Sequence, residues 1–173
     1  MLLYQRINIP QWSLIQETFS YLELPNTKVE NCVFPLNPTE IAKLSKLLPI
    51  IPERKIKFAA MFGQKPHAVQ ITHIDGYSTS RVGASNTALN IPIKSIGQMT
   101  WYSGDYHLEE QADSSSKIKY LNLNWLSEPS IKDIAVIDSP TIVRINVPHR
   151  VINLHNEPRI VISIRYSPDI FLG

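Results

Sequence analysis

From residue 55 onward the chain is a succession of short runs rich in Val, Ile, Thr, Tyr and Trp, broken at Gly, Pro, Asn and Asp. That texture is the signature of strands and turns. It predicts strands over 55–62, 68–74, 87–93, 98–103, 117–123, 133–137, 141–147, 149–154 and 159–166. Before residue 55 the pattern differs. Asn37-Pro38-Thr39-Glu40 reads as a helix start, with Asn as cap, Pro in the first turn and Glu placed to reach back to the cap. Ile41, Leu44, Leu47 and Leu48 then recur at helical spacing until Pro49 and Pro52, which predicts a helix over 38–48. Residues 1–36, with Trp12 to Leu24 and Val29 to Phe34, read as a flanking segment of helix and strand. The polar stretch from Asp105 to Ser116 reads as a loop, suited to a lid or an interaction surface. Many short strands at this spacing, without helices between them, predict a mainly β jelly roll over 55–168. One or two N-terminal helices in 1–54 flank it, all within a single domain of 1–173.

Composition narrows the function. With 173 residues, 43% hydrophobic and 18% charged, the chain can bury one core and is not expected to be disordered. A net charge of +2, with no Lys/Arg cluster, makes nucleic acid an unlikely partner. Cys32 is the only cysteine, which rules out an intrachain disulfide and a thiolate zinc cage. That fits a reducing compartment, and the cytoplasm is the expected location. No apolar run approaches the roughly 20 residues of a membrane span. Arg6 breaks the short apolar start, so no signal peptide is expected.

The candidate chemistry lies in His73-Ile-Asp75 and in His149. Residues two apart on a strand share a face, so His73 and Asp75 can grip one cation. Two histidines and one carboxylate, with the opposite coordination positions open, form the ligand set of non-haem Fe(II) oxygenases. A jelly roll can bring an early and a late strand together for this purpose. A His-x-Asp alone occurs by chance in many proteins, and His149 could equally be a satisfied core histidine. Arg159, ten residues after His149, stands inside the apolar run Arg159-Ile-Val-Ile-Ser-Ile164, in phase with Val161, Ser163 and Arg165. A buried guanidinium needs a partner. A carboxylate ligand would serve, and so would a protein acid such as Asp138 or Glu157.

On these residues the chain resembles the Fe(II)/2-oxoglutarate-dependent oxygenase superfamily. The segment from Pro148 to Arg159 is similar to the His-x-Val-x-Asn…Arg pattern of its aspartyl/asparaginyl hydroxylase branch. The resemblance implies Fe(II) held by His73, Asp75 and His149, and 2-oxoglutarate as cosubstrate with its distal carboxylate on Arg159. It also implies a polar cosubstrate contact at Asn90, with Tyr102 as a further donor. Tyr77, Arg81 and Trp101 are candidates to face the substrate. The implied reaction is hydroxylation of an amino acid, a peptide side chain or a small metabolite by O₂. The chain departs from the wider superfamily in having Val161, not Ser, two positions after the arginine. His155 with Arg165, also ten apart and followed by Ser167, is a rival assignment. The other alternative is a cupin-like, non-redox metal or ligand-binding protein. Against it, cupins carry a close His-x-His and a nearby Glu, whereas here position 75 is Asp and no Glu follows within thirty residues.

Overall fold

The computed structural model describes residues 1–26, 29–49, 51, 53–75, 85–112 and 119–170. In chain order the elements are β1 (Tyr4–Arg6), α1 (Trp12–Thr18), β2 (Asn31–Pro35), α2 (Pro38–Leu47), β3 (Lys55–Gln64), β4 (His73–Asp75) and β5 (Thr87–Lys94). There follow β6 (Gly97–Ser103), β7 (Tyr106–Ala112), β8 (Lys119–Trp125), β9 (Ser130–Ile137), β10 (Thr141–Arg144), β11 (His149–Ile152) and β12 (Arg159–Ser167). The strands form two six-stranded antiparallel sheets, ordered β1-β10-β5-β12-β3-β2 and β7-β8-β4-β11-β6-β9. Two four-stranded sets face each other across the roll, β10-β5-β12-β3 inside the first sheet and β4-β11-β6-β9 at one end of the second. The chain crosses between the sheets from β3 to β4, β4 to β5 and β5 to β6, and again from β9 through β10 and β11 to β12. This is a double-stranded β-helix, or jelly roll.

The sequence explains why β12 lies at the centre of its sheet. Ile160, Ile162 and Ile164 point outward into a core shared with Ile15 and Phe19 of the α1 region and Leu44 of α2. Arg159, Val161, Ser163 and Arg165 point inward, towards the second sheet, and line a common cavity. Both faces are covered, yet the strand alternates: isoleucines fill the outer core, and Arg159, Ser163 and Arg165 are polar groups buried on the cavity side. Asn37 caps α2 as expected, accepting from the Glu40 N–H at 2.9 Å while the Glu40 carboxylate accepts from the Asn37 N–H at 2.8 Å.

Several elements differ from expectation. The segment from Asp105, read as a loop, contains strand β7, paired with β8 from Tyr106↔Trp125 to Ala112↔Lys119. His107, Leu108 and Glu109 are all exposed, so no half-buried alternation announces the strand. Residues 113–118 lie outside the described residues. The expected strand over 68–74 shrinks to β4, preceded by a single bridge, Val69↔Ile152. The N-terminal segment is not only a flank, because β1 pairs with β10 and β2 with β3 at opposite ends of the first sheet. Among the described residues, no helix is long and apolar enough to cross a membrane.

Candidate metal centre

His73 and His149 sit directly opposite each other where β4 meets β11. Both side chains are buried on the inner face, with ring centroids 4.6 Å apart. Each imidazole is fixed through Nδ1, which lies 2.7 Å from the Ile71 carbonyl in His73 and 2.8 Å from the Val147 carbonyl in His149. A carbonyl can only accept, so each Nδ1 carries a proton; His149 Nε2 is turned to the cavity, and His73 Nε2 lies against Asp75. Asp75 follows on the same face of β4, and its N–H donates to the Ile145 carbonyl at 3.0 Å. Its Oδ1 lies 3.1 Å from His73 Nε2, and its Oδ2 lies 3.9 Å from His149 Nε2.

One donor atom from each of the three residues falls within 4.8 Å of the others. Two ligands bonded to one ion at about 2.1 Å cannot stand more than about 4.2 Å apart. With one donor atom from each residue, the separations reach 4.8 Å at most, so a contraction of well under ~1 Å brings all three onto one ion. Two neutral imidazole nitrogens and one carboxylate suit a divalent first-row metal. The donor set therefore fits Fe(II).

Two arginines share the cavity. Arg165 donates to Asp75 Oδ2 at 2.9 Å and to Ser163 Oγ at 2.6 Å. Ser163 in turn donates to Asn90 Oδ1 at 2.5 Å, across a register pair of β12 and β5. Arg159 is only 4% exposed, and its one side-chain hydrogen bond among the described residues is NH1 donating to Gln64 Oε1 at 3.0 Å. Neither expected protein acid reaches it: Asp138 pairs with Arg6 at 3.3 Å, and Glu157 is exposed. Burial with no compensating anion pulls the Arg159 guanidinium down to about 10. Arg165 is also lowered by burial, against the opposing pull of Asp75 and Asp169. Phe62, Met99, Ile145, Val151, Val161 and the polar Gln70 complete the lining, and the cavity has about 30 Å³ of room, space for about two waters.

The titration pattern follows from these contacts. Burial alone would raise Asp75, but its bond to His73 and the charges of His73, His149 and Arg165 hold it well below the usual carboxylate range. Burial would lower His73, yet the Asp75 bond and charge and the Ile71 carbonyl raise it. His149 is lowered by burial and by His73 to about 4, so it is neutral, as a ligand must be, across the neutral range. A folded value below the ordinary 6.5 means that His149 contributes stability above pH 6.5, and that this is lost as pH falls towards about 4. His73 contributes in the opposite sense: fully below 6.5, with loss as pH rises through its raised value. The joint contribution of these two histidines to the metal-free protein is therefore greatest near pH 6.5. The protein's urea midpoint should fall on the acid side, and His149→Asn should flatten that fall; an unchanged acid limb in the variant would place the sensitivity elsewhere.

The structure gathers His73, Asp75, His149, Arg159 and Asn90 around one cavity. It does not bring Tyr102 or Trp101 to it. Trp101 is fully buried, stacks on Tyr4 at 5.7 Å and donates its indole N–H to the Arg144 carbonyl at 2.9 Å. Tyr102, next along β6, points to the opposite face, where Arg150 lies over its ring at 5.4 Å. Tyr77 and Arg81 lie outside the described residues. The rival pair separates: His155 is exposed in the turn before β12, while Arg165 is on Asp75. Sequence reasoning missed Gln64 and Gly97. Gln64 lies just past the predicted end of β3 but in phase with Phe62, and that phase was the available signal. Gly97 gave no signal in sequence.

No protein-family model and no curated protein matches the chain. Solved structures of Bacillus subtilis oxalate decarboxylase resemble it distantly. One, concerned with the Mn(II) centres of that enzyme, is 14% identical over 87% of this chain and 29% of its own, with a TM-score of 0.41. Another, at pH 4.6, is 14% identical over 82% and 27%, with a TM-score of 0.40. The chain thus spans less than a third of the length of those proteins. The strand order, and not this likeness, carries the fold assignment.

Proposed function

We propose that this chain is an Fe(II)- and 2-oxoglutarate-dependent dioxygenase that hydroxylates an amino acid, a peptide side chain or a small metabolite. The observation that supports it is the presence, in one cavity, of a His-Asp-His cluster and a buried guanidinium with no acid partner among the described residues. Fe(II) would be held by Nε2 of His73, Nε2 of His149 and the Asp75 carboxylate. Arg159 would receive the distal carboxylate of 2-oxoglutarate, and the Ser163–Asn90 pair would supply hydrogen bonds. When bound, the metal and cosubstrate supply O₂ activation coupled to oxidative decarboxylation. The protein's own part is to orient the cosubstrate and exclude water, which the apolar side chains of Phe62, Ile145, Val151 and Val161 favour. A five-carbon diacid needs more than the present room, so side chains must yield; unbranched Met99 is the most adaptable of them.

The tight cavity favours the second reading, a cupin-like protein that binds a metal or small ligand without redox chemistry. The two separate in air. With Fe(II), ascorbate, 2-oxoglutarate and a pool of amino acids and peptides, the dioxygenase forms succinate as O₂ is consumed. Metal binding with no succinate above a protein-free control would favour the second reading.

A further inference from the structure

Arg159, Gln64 and Asn31 stand in one row across β12, β3 and β2. The Gln64 side chain is 1% exposed, and all its polar atoms are committed. Its Nε2 donates to Asn31 Oδ1 at 3.0 Å and to the Val151 carbonyl at 3.2 Å. Both partners are acceptors, so the amide cannot be turned over, and Oε1 must face Arg159. From the other side, Gly97 at the start of β6 presses its bare backbone against the same guanidinium. A Cβ built at Gly97 would come 2.3 Å from Arg159 Nε and 2.7 Å from its Cδ. The arginine is therefore held between an oriented neutral acceptor and a position where no side chain fits.

The charge at position 64 matters more than the hydrogen bond. A glutamate is nearly the same size; it would give up the two bonds that Nε2 donates but form a charge-assisted pair with Arg159, cancelling it internally. Glutamine directs the guanidinium while leaving its positive charge unmatched, a costly state for a buried group unless an anion arrives from outside. We propose that Gln64 is a positioning and specificity-determining residue, which with Gly97 keeps Arg159 aimed and uncancelled for the carboxylate of an incoming dianion. This rests on the reading of Arg159 as the cosubstrate anchor.

The test uses the full chain carrying Co(II) as a redox-inert metal, with 2-oxoglutarate titrated into wild type, Gln64→Glu and Gly97→Ala. Gln64→Glu should weaken 2-oxoglutarate binding at least 30-fold and leave Co(II) affinity within threefold. Gly97→Ala should weaken it at least tenfold by displacing the guanidinium. A merely structural role for Gln64 would lower both affinities or neither. Binding of 2-oxoglutarate to Gln64→Glu within threefold of wild type would overturn the proposal while leaving the dioxygenase reading intact. A second readout is independent of the ligand: the ¹⁵N–¹H signal of Arg159 Nε, assigned by its loss in Arg159→Lys. It should shift in Gln64→Glu and broaden in Gly97→Ala. If wild type binds no 2-oxoglutarate but these changes occur, the cosubstrate reading fails and the positioning role stands. An Arg159 signal indifferent to both substitutions overturns the positioning role.

Discussion

Arg159→Met should weaken 2-oxoglutarate binding by about 2–5 kcal/mol, the scale for losing one member of a desolvated charge pair, or roughly 30- to several-thousand-fold. The same variant should fold at least as stably as wild type. Methionine keeps the apolar stem and removes a guanidinium whose one hydrogen-bond acceptor among the described residues is the neutral Gln64. Relieving an unmatched buried charge offsets the hydrogen bond lost at Gln64 Oε1, which costs about 1–3 kcal/mol. Lost ligand affinity with retained stability is what separates an anion receptor from a structural arginine. Calorimetric titration and a thermal melt of the variant check both halves. A large drop in melting temperature with unchanged affinity would assign Arg159 to the scaffold.

Asp75→Ala should fail in the opposite way, losing stability as well as metal. Asp75 is the carboxylate partner of Arg165, which is 9% exposed and bonded to it at 2.9 Å. Its removal leaves that guanidinium buried with Ser163 as its one remaining hydrogen-bond acceptor among the described residues and Asp169 as a weaker counter-charge. Breaking a buried pair from one side costs about 3–5 kcal/mol. For a domain of this size that corresponds to a fall in melting temperature of roughly 6–20 °C. The metal-free protein already depends on Asp75, so the loss should appear before any metal is added. A melt of metal-free Asp75→Ala within ~2 °C of wild type, less than about 1 kcal/mol, would mean that Arg165 finds another anion.

Parity explains most of what could be read in the sequence. A strand alternates faces with period two, so placing Arg159 inward also placed Val161, Ser163 and Arg165 inward, and the four line one cavity. The same rule paired His73 with Asp75. Helix α2 was legible because its cap is local, confined to Asn37 and Glu40. Parity also explains what was misread. Trp101 and Tyr102 are neighbours on β6 and must face opposite ways, yet nothing local says which is inward. The answer came from the partner strand, where Trp101 pairs with inward-facing His149. Strand β7 was invisible because it is exposed on both faces at His107, Leu108 and Glu109. Gln64 was overlooked because a strand end carries a weak signal, and its role comes from three neighbours distant in sequence: Asn31, Val151 and Arg159. The choice of His149 over His155 was decided by the turn that Asn153 builds. Its amide donates to the Lys65 and Glu157 carbonyls at 3.0 and 2.8 Å, and His155 is left exposed on that turn.

In the proposed enzyme one metal ion and one 2-oxoacid meet in the cavity between β4, β11 and β12. Adding Fe(II) and then 2-oxoglutarate to the protein without oxygen tests it directly, because chelation of ferrous iron by the 2-oxoacid produces a weak visible charge-transfer band. The account predicts that band in wild type, its loss in His149→Ala, and a requirement for much higher 2-oxoglutarate in Arg159→Met. A colourless wild-type mixture, or a band that survives undiminished in His149→Ala, would contradict it.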